Sequence, residues 1–199
     1  MAGLYLTFET VYPAGSDPMM RHLEKVNAGF KKVINHPQLQ QYRKPQKLPV
    51  VRYLKKTLQM GMYFNESPLY HTIGLMDHHL TWEYGYEQMP DKLADNYAFT
   101  EIIGPRGPVL SNQLIVGMVL LGPSCRYPSH RHPNLEESYV CMAGYVNIND
   151  LTVLTANSYV MISENQSHWL STEAEIPALL VYAWTGDPYD LAHYRMEMD

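Results

Sequence analysis

The second half of the chain is a succession of short apolar runs separated by turn-forming residues, and this pattern limits the folds that it can adopt. From about Ala98 the runs are rich in Val, Ile, Leu and Tyr and are bounded by Gly, Pro, Asn and Asp. The runs are AFTEII, QLIVGMVLL, SYVCMAG, YVNIN, LTVL, SYVMIS and ALLVYAW. Many short strands at close spacing are typical of a β-sandwich or a β-barrel, and we predict one here.

The first half has a helical period instead. Asp17-Pro18 and Ser67-Pro68 each combine a residue that caps helices with a proline suited to the first helical turn. Apolar residues follow at helical spacing: Leu23, Val26, Phe30, Val33 and Ile34, then Leu48, Val51, Leu54, Leu58 and Met62, then Leu69, Ile73, Met76 and Leu80. We predict an N-terminal helical extension over residues 1–97 that packs on a β-barrel over residues 98–199. The apolar helix faces either cover one side of the barrel or form the contact of a homodimer.

The composition excludes several classes of partner. The 199-residue chain is 46% hydrophobic and 18% charged, so it can bury a sizeable core. A net charge of -5, with no block of five Lys or Arg residues, argues against a nucleic-acid partner. No apolar run approaches the roughly 20 residues that cross a bilayer, which argues against a membrane partner. The N-terminal residues lack the basic start and apolar stretch of a signal peptide, and two cysteines are too few for a disulfide scaffold, so we expect a cytoplasmic protein.

Three histidines and a glutamate form the most informative pattern. His130 and His132 are two residues apart, so on a strand both imidazoles point to the same face. A carboxylate follows at Glu136 or Glu137, and His168 lies in a later strand-like run. Three imidazoles and one carboxylate suit one divalent transition metal ion (Fe, Zn, Mn, Ni or Co) and leave positions for water or substrate. For the His-X-His pair alone, a solvated loop is the alternative.

The other histidines show no comparable pattern. Four of them are isolated in helical or terminal segments. The other two, His78 and His79, are adjacent, so their side chains would point in different directions on a helix. We interpret them as surface, structural or helix-packing residues: His22, His36, His71, His78, His79 and His193.

The spacing of the pattern resembles the first motif of the cupin superfamily. That motif is His-X-His, three or four residues, Glu, six residues and Gly. Here His130-Arg-His132 is followed by four residues, Glu137, six residues and Gly144, so the resemblance favours Glu137 over Glu136 as the ligand.

The second cupin motif matches less well. His168 is in place, whereas Asn157 or Ser158 stands where the motif begins with Gly, and Glu164-Asn165-Gln166 replaces Pro-X-Gly. Asn can adopt the turn conformation that the motif needs. The resemblance covers residues 98 to about 186 and implies a mainly β cupin fold, a double-stranded β-helix or jelly-roll barrel behind the α-helical extension.

Two tyrosines flank the first motif. Tyr139 follows Glu137 by two residues, so on a regular strand it shares the ligand's face, and Tyr127 precedes His130 by three. A divalent cation lowers the pKa of a neighbouring phenol because it stabilises the phenolate. Tyr139 is therefore a candidate general base for a proton α to a metal-bound carboxylate. The alternative is an aromatic side chain that only fills the barrel.

The combination Tyr-Pro-Ser-His-X-His, Glu-X-Tyr, a later His and a C-terminal Trp-Thr-Gly-Asp resembles the cupin-type dimethylsulfoniopropionate (DMSP) lyases. A helical part before the barrel is also similar to that family. The resemblance implies a carbon–sulfur lyase that splits DMSP, a small zwitterionic sulfonium, into dimethyl sulfide, acrylate and a proton.

The family's functional residues map onto this chain residue by residue. The resemblance implies that the metal is bound by His130, His132, Glu137 and His168. It also implies that Tyr139 removes the α-proton and that Tyr127 is a second active-site tyrosine. The extra residue between His132 and Glu137 could instead move Tyr139, or exchange the ligand for Glu136.

Aromatic side chains are the expected partners of a sulfonium group. This soft cation has no hydrogen-bond donor, and aromatic faces attract such cations. The candidates are Tyr127, Tyr182 and Trp184, of which the last two share one face of a strand by i, i+2 spacing. Trp169, next to His168, could line the mouth of the pocket. Ordinary core packing is the alternative for each.

Other functions fit the same four ligands. A metal-dependent cupin dioxygenase or isomerase would use them on a small carboxylate or sugar acid. A non-enzymatic cupin that binds a small ligand is disfavoured as a regulator, because the helices lack a basic recognition face. A purely structural domain is disfavoured because all four ligands are present. Metal content and product formation distinguish these hypotheses.

Overall fold

The computed structural model describes residues 17–40, 44–85 and 89–199. Helices predominate up to residue 79, and strands predominate from Tyr97 onward. The α-helices are α1 (Asp17–Asn35), α2 (Leu54–Phe64), α3 (Pro68–Met76), α4 (Asp91–Ala94) and α5 (Pro188–Ala192), and 3₁₀-helices span Pro49–Tyr53 and Asp77–His79. The strands are β1 (Gln38–Leu39), β2 (Tyr97–Ile103), β3 (Val109–Leu110), β4 (Ile115–Leu121), β5 (Arg126–Arg131), β6 (Leu135–Ala143), β7 (Val146–Ile148), β8 (Thr152–Leu154), β9 (Tyr159–Ile162), β10 (His168–Thr172), β11 (Ala178–Gly186) and β12 (Glu197–Met198).

The strands form two sheets that pack face to face. The order in the first is β1-β3-β2-β4-β11-β6-β9, and in the second β12-β5-β10-β7-β8. Neighbouring strands are antiparallel except for the parallel pair β2 and β3. Phe99 and Val119 of the first sheet share one buried apolar cluster with Tyr127 and Leu170 of the second. The predicted mainly β fold with N-terminal helices is confirmed.

The seven-stranded sheet is buried on both faces. Along β11, Val181 and Ala183 belong to the apolar cluster shared with the helices, whereas Tyr182 and Trp184 belong to the cluster between the sheets. This follows from the alternation of side chains along a strand. The apolar faces of α1 and α2 therefore cover one side of the sheet. Covering the barrel was one of the two roles expected for these faces, and the contact of a homodimer was the other. The homodimer contact and the division of the chain at residue 97 stay predictions.

Both helix starts predicted from a capping residue and a proline are present. α1 begins at Asp17, and α3 begins at Pro68, where the Ser67 hydroxyl accepts the Leu69 N–H at 3.3 Å. The middle predicted helix differs from expectation, because Pro49–Tyr53 forms a 3₁₀ turn before α2 begins. Leu80, which was expected to continue the third helix, lies beyond the 3₁₀-helix that follows α3.

Some sequence-based predictions fall outside the described residues. They concern the N-terminal stretch over residues 1–15 and Gln88, the first residue of the polar boundary predicted over Gln88 to Asn96. Part of that boundary is helical, since it contains α4. Within the described ranges, no helix is both long enough and apolar enough to cross a membrane.

The two cysteines lie inside the fold as free thiols. Cys125 and Cys141 are both buried, and burial raises the pKa of each thiol to about 12. Both are therefore protonated and unreactive at neutral pH.

Gly61 on α2 and Gly74 on α3 form a matched pair that tests how the helices pack. A Cβ on Gly61 would overlap the Tyr70 ring and lie 2.9 Å from the Met142 carbonyl oxygen, whereas a Cβ on Gly74 would find its nearest neighbour, in Leu58, at 3.8 Å. We expect Gly61→Ala to lower the free energy of unfolding by about 1–3 kcal/mol through overpacking. We expect Gly74→Ala to raise it by roughly 0.5–1 kcal/mol through helix propensity. Urea denaturation measures both, and shifts of equal sign would contradict this packing.

Candidate active site

A cavity of about 180 Å³ lies between the two sheets. Both sheets contribute to its wall, and so does the segment that follows α5. Polar lining residues include His130, His132 and Glu137, and aromatic lining residues include Tyr97, Tyr139 and Trp184. The cavity therefore combines titratable groups with an aromatic wall.

The four predicted ligands converge. Glu137 lies on β6, His130 lies on β5, His168 begins β10, and His132 follows directly after β5. The pairing of β5 with β10 sets His130 opposite His168. All four residues are buried, and one ligand atom from each lies within 4.8 Å of the others. The spacing seen in the sequence thus corresponds to a single cluster in space.

Two asparagines adopt left-handed turn conformations in the segment that corresponds to the second motif. Asn157 and Asn165 have φ values of 69° and 60°, in the left-handed region that Asn tolerates better than most residues. The Asn165 N–H donates to the His132 carbonyl at 3.1 Å, which ties the turn before His168 to His132. Gly144, which ends the first motif, has a φ of 86°.

Backbone carbonyls orient two of the imidazoles. The Nδ1–H of His130 donates to the Pro128 carbonyl at 2.9 Å, and that of His168 donates to the Gln166 carbonyl at 3.2 Å. Burial, together with charge repulsion from the neighbouring His168 and His132, lowers the pKa of His130 to about 3, so this ring is neutral. In His130 the Nε2 lone pair is then available to a metal ion. Burial alone would lower the pKa of His168, but its contact with Glu137 outweighs burial and raises this pKa, so a metal ion would replace a proton on that ring.

The Glu137 carboxylate is held from two sides. The indole N–H of Trp184 donates to Oε1 at 2.6 Å, and Oε2 lies 3.3 Å from His132 Nε2 and 3.1 Å from His168 Nε2. Burial alone would raise the pKa of Glu137, but His132 and His168 outweigh it and hold this pKa well below its usual range. Glu137 is therefore an ionised carboxylate inside the protein.

The neighbouring Glu136 points away from the cluster. Its Oε2 accepts from Lys25 Nζ at 2.8 Å and from the Thr185 hydroxyl at 3.1 Å, on the helix-covered side of the sheet. Successive residues of a strand face opposite ways, so only one of the two glutamates can reach the histidines. The structure places Glu137 there.

The donor set fits a divalent transition metal ion. Among the described side chains, His132 Nε2 and Glu137 Oε2 are buried polar atoms without a hydrogen-bond partner. Such atoms are rare in proteins unless something else satisfies them. Three imidazole nitrogens and a carboxylate oxygen suit the ions expected from the sequence, and a cation among them would satisfy their lone pairs.

Tyrosine hydroxyls lie beside this cluster. The Tyr139 hydroxyl is 3.5 Å from His168 Nε2. The Tyr127 hydroxyl is 3.1 Å from that of Tyr97 and 3.2 Å from Met196 Sδ, and the Tyr97 and Tyr127 rings stack with centroids 4.3 Å apart. Burial, followed by the charge of Glu137, raises the pKa of Tyr139 well above 10. The protein alone therefore keeps Tyr139 protonated.

An aromatic wall faces the histidines. Tyr182 and Trp184 both line the cavity, with ring centroids 5.2 Å apart, and Tyr194 meets Trp184 edge-on at 5.0 Å. The Tyr182 hydroxyl is buried and has no hydrogen-bond partner among the residues that the structure describes. Both predicted residues of β11 are thus at the cavity.

Trp169 lies elsewhere. It is not among the described residues that line the cavity. Its neighbour His168 faces the cluster, so Trp169 faces the other side of β10, where the guanidinium carbon of Arg126 lies 4.3 Å from its ring centroid. A place at the mouth of the pocket, which the sequence suggested for Trp169, does not agree with this position.

Several lining residues were missed by the sequence analysis, among them Tyr97 and Tyr194. Alternation along β2 puts Tyr97, Phe99 and Glu101 on one face, which was a usable signal for Tyr97. Glu101 is buried, accepts the backbone N–H groups of Arg106 and Gly107, and accepts the Tyr194 hydroxyl at 2.8 Å. No local pattern points to Tyr194, which reaches the cavity from beyond α5.

Comparison with known proteins identifies the family. A family model described as dimethylsulfoniopropionate lyase matches residues 22–180. The chain belongs to this family. A curated protein of Cereibacter sphaeroides, named as the DMSP lyase DddL, is 36% identical over 201 residues, covering 98% of this chain and 87% of that protein. The resemblance seen in the sequence is confirmed, and with it the assignment to the carbon–sulfur lyases.

Solved structures share the fold over nearly the whole chain. DMSP lyase DddQ from Ruegeria pomeroyi superposes with a TM-score of 0.65 at 20% identity, covering 91% of this chain and 92% of that one. A chain from the crystal structures of the DMSP lyases RdDddP and RnDddQII also gives a TM-score of 0.65, at 19% identity, covering 89% and 95%. The predicted cupin fold with a helical extension is thus confirmed for this member of the DMSP lyase family.

Glu137→Gln and Glu136→Gln test which carboxylate binds the metal. We expect Glu137→Gln to weaken Co²⁺ affinity by more than about 100-fold, beyond the roughly 10–100-fold typical of partners that only orient a ligand. Glu136→Gln should bind Co²⁺ within about 3-fold of the wild type, because the Gln oxygen can still accept from Thr185. Isothermal titration measures both, and the reverse order would show that Glu136 is the ligand.

Proposed function

We propose that this protein is a metal-dependent lyase that cleaves DMSP to dimethyl sulfide and acrylate by β-elimination. The single observation that carries the proposal is the Tyr139 hydroxyl beside a buried three-histidine, one-carboxylate cluster, in a chain of the DMSP lyase family. The substrate supplies an acidic α-hydrogen and a sulfonium leaving group. The site supplies a candidate base and a place for the carboxylate.

The metal would be held by His130, His132, Glu137 and His168. When bound, a divalent ion would hold the substrate carboxylate, make its α-hydrogen more acidic and lower the pKa of the nearby phenol. This last effect opposes burial and the charge of Glu137, which together raise the pKa of Tyr139. Fe, Zn, Mn, Ni and Co all suit the donor set.

Tyr139 would act as the general base. Its phenolate oxygen accepts the α-proton, the C–H electron pair forms the C=C bond of acrylate, and the Cβ–S bond breaks with its electron pair going to sulfur. Dimethyl sulfide therefore leaves as a neutral molecule and needs no general acid. Tyr139 then returns the proton to water. Tyr127, stacked on Tyr97 beside His130, is the alternative base.

The aromatic wall would receive the sulfonium group. Tyr182, Trp184 and Tyr194 line the same cavity as the candidate ligands His130, His132 and Glu137. Aromatic faces attract a desolvated cation by about 2 kcal/mol or more. Because Trp184 also donates to Glu137, the sulfonium subsite and the metal subsite share one side chain.

The first experiment measures headspace dimethyl sulfide over purified protein given DMSP. We expect release after reconstitution with a divalent metal and none after chelation, because only the loaded site can bind the carboxylate and stabilise the phenolate. If metal is bound and no sulfide is released, the dioxygenase and isomerase hypotheses replace the lyase, and small carboxylates and sugar acids become the substrates to screen.

Tyr139→Phe tests the base. We expect its kcat to fall by at least about 100-fold, in line with the usual contribution of a general base, while the metal stays bound. His132→Ala is the comparison variant and should lose both metal and turnover. Sulfide release and metal content, measured on the same samples, separate the two effects. A fully active Tyr139→Phe protein would move the base to Tyr127.

A further inference from the structure

His22 of α1 is fully buried against the helix-covered face of the seven-stranded sheet. Its Nδ1 lies 3.0 Å from the Thr185 hydroxyl on β11, and its Nε2 lies 2.9 Å from the Ser138 hydroxyl on β6. One imidazole therefore joins two neighbouring strands from behind. From the sequence, only a surface or helix-packing histidine is expected at this position.

The hydrogen bonds around His22 define a directed chain. The Thr185 hydroxyl donates its proton to Glu136, which also accepts from Lys25. Thr185 must therefore accept from Nδ1–H of His22, which also lies 3.6 Å from Glu136 Oε2, and Nε2 forms a second hydrogen bond with the Ser138 hydroxyl. Every member of the chain from Ser138 through His22 and Thr185 to Glu136 thus has a partner. A fully satisfied buried network holds one arrangement of its members in preference to others.

The two hydroxyl residues sit directly behind the site. Ser138 lies between Glu137 and Tyr139 on β6, and Thr185 follows Trp184 on β11. In the register of these strands Trp184 pairs with Glu137, the same pair that is joined on the cavity side by the 2.6 Å indole–carboxylate hydrogen bond. His22 and Trp184 thus fasten one stretch of the β6–β11 pair from opposite faces.

We propose that His22 is a positioning residue that holds Glu137 and Tyr139 in the geometry needed for metal binding and proton transfer. It touches neither the metal-binding atoms nor the cavity, and acts through the two strands. The part of this inference that concerns turnover rests on the proposed function. The part that concerns metal affinity depends only on the His and Glu cluster.

Simple packing does not account for a histidine at this place. Val26, one turn further along the same face of α1, is equally buried and lies in the apolar cluster between helices and sheet. An apolar residue at position 22 could pack as Val26 does, but it would leave Ser138 without its partner and Thr185 without its donor. Val26 is therefore the matched control position.

The test compares Co²⁺ binding to the full-length wild type, His22→Leu, His22→Gln and Val26→Ala, with Co²⁺ alone as the probe. Each protein is titrated well below its melting temperature, and its visible absorption spectrum reports the ligand geometry. We expect His22→Leu to bind Co²⁺ about 10-fold more weakly with an altered spectrum, at the low end for residues that orient ligands. His22→Gln should recover part of the loss. Val26→Ala should melt at a lower temperature and bind Co²⁺ as the wild type does.

A second variant keeps the test decisive if His22→Leu does not fold. Thr185→Val is nearly isosteric and removes one of the two hydroxyls that His22 binds, and we expect it to weaken Co²⁺ binding about 3-fold or more. In turnover assays on metal-saturated protein, the His22 and Thr185 variants should lower kcat with little change in KM.

The outcomes separate this inference from the proposed function. If His22→Leu or Thr185→Val binds Co²⁺ as tightly as Val26→Ala, His22 is a packing residue and the inference is wrong. A wild type that binds Co²⁺ but releases no dimethyl sulfide from DMSP overturns the proposed function alone. A wild type that binds no Co²⁺ overturns the metal site and this inference with it.

Discussion

The negative charge of Glu137 is the constraint on which the rest of the site depends. A carboxylate withdrawn from water costs several kcal/mol unless charges and hydrogen bonds compensate it. Here the Trp184 indole satisfies one oxygen, and the other faces the imidazoles of His132 and His168. Metal ligands must be deprotonated, and a divalent cation would compensate this carboxylate in place of imidazole protons, which makes the cluster suited to such an ion. Under the proposed function, metal binding and acid–base chemistry would both depend on the carboxylate of Glu137.

The strand pair β6–β11 links this site to the fold as a whole. Its inner face carries Glu137 and Trp184, and its outer face carries Ser138 and Thr185, which bind His22 of α1. Both faces of the sheet are buried at this strand pair, so the side chains on either face are closely packed. The N-terminal helices therefore do more than cover apolar surface, since one of them contacts the strands that position the site.

Much of the site could be predicted because the patterns that indicate it involve residues close together in the sequence. The His-X-His spacing and the alternation along a strand act over a few residues and predicted that His130 and His132 face one side. His168, much later in the chain, was predicted from the resemblance to the second cupin motif, and the pairing of β5 with β10 brings it to the other two. Alternation also required that only one of Glu136 and Glu137 face the histidines, and the motif spacing favoured the one that the structure places there. The same rule, applied to Trp169 beside His168, would have placed that side chain on the opposite face of β10.

By itself the sequence determined the mainly β fold, the helical extension, the family and the four candidate metal ligands. These follow from hydrophobic periodicity and from motif spacing, which are properties of neighbouring residues. Only the tertiary structure decided that the segment after α5 returns to the cavity, so that Tyr194 meets Trp184 and its hydroxyl binds Glu101 across 93 positions of the chain. It likewise decided that His22 lies behind Glu137. Contacts of this kind depend on how strands and helices pack over long separations, and no local period encodes them.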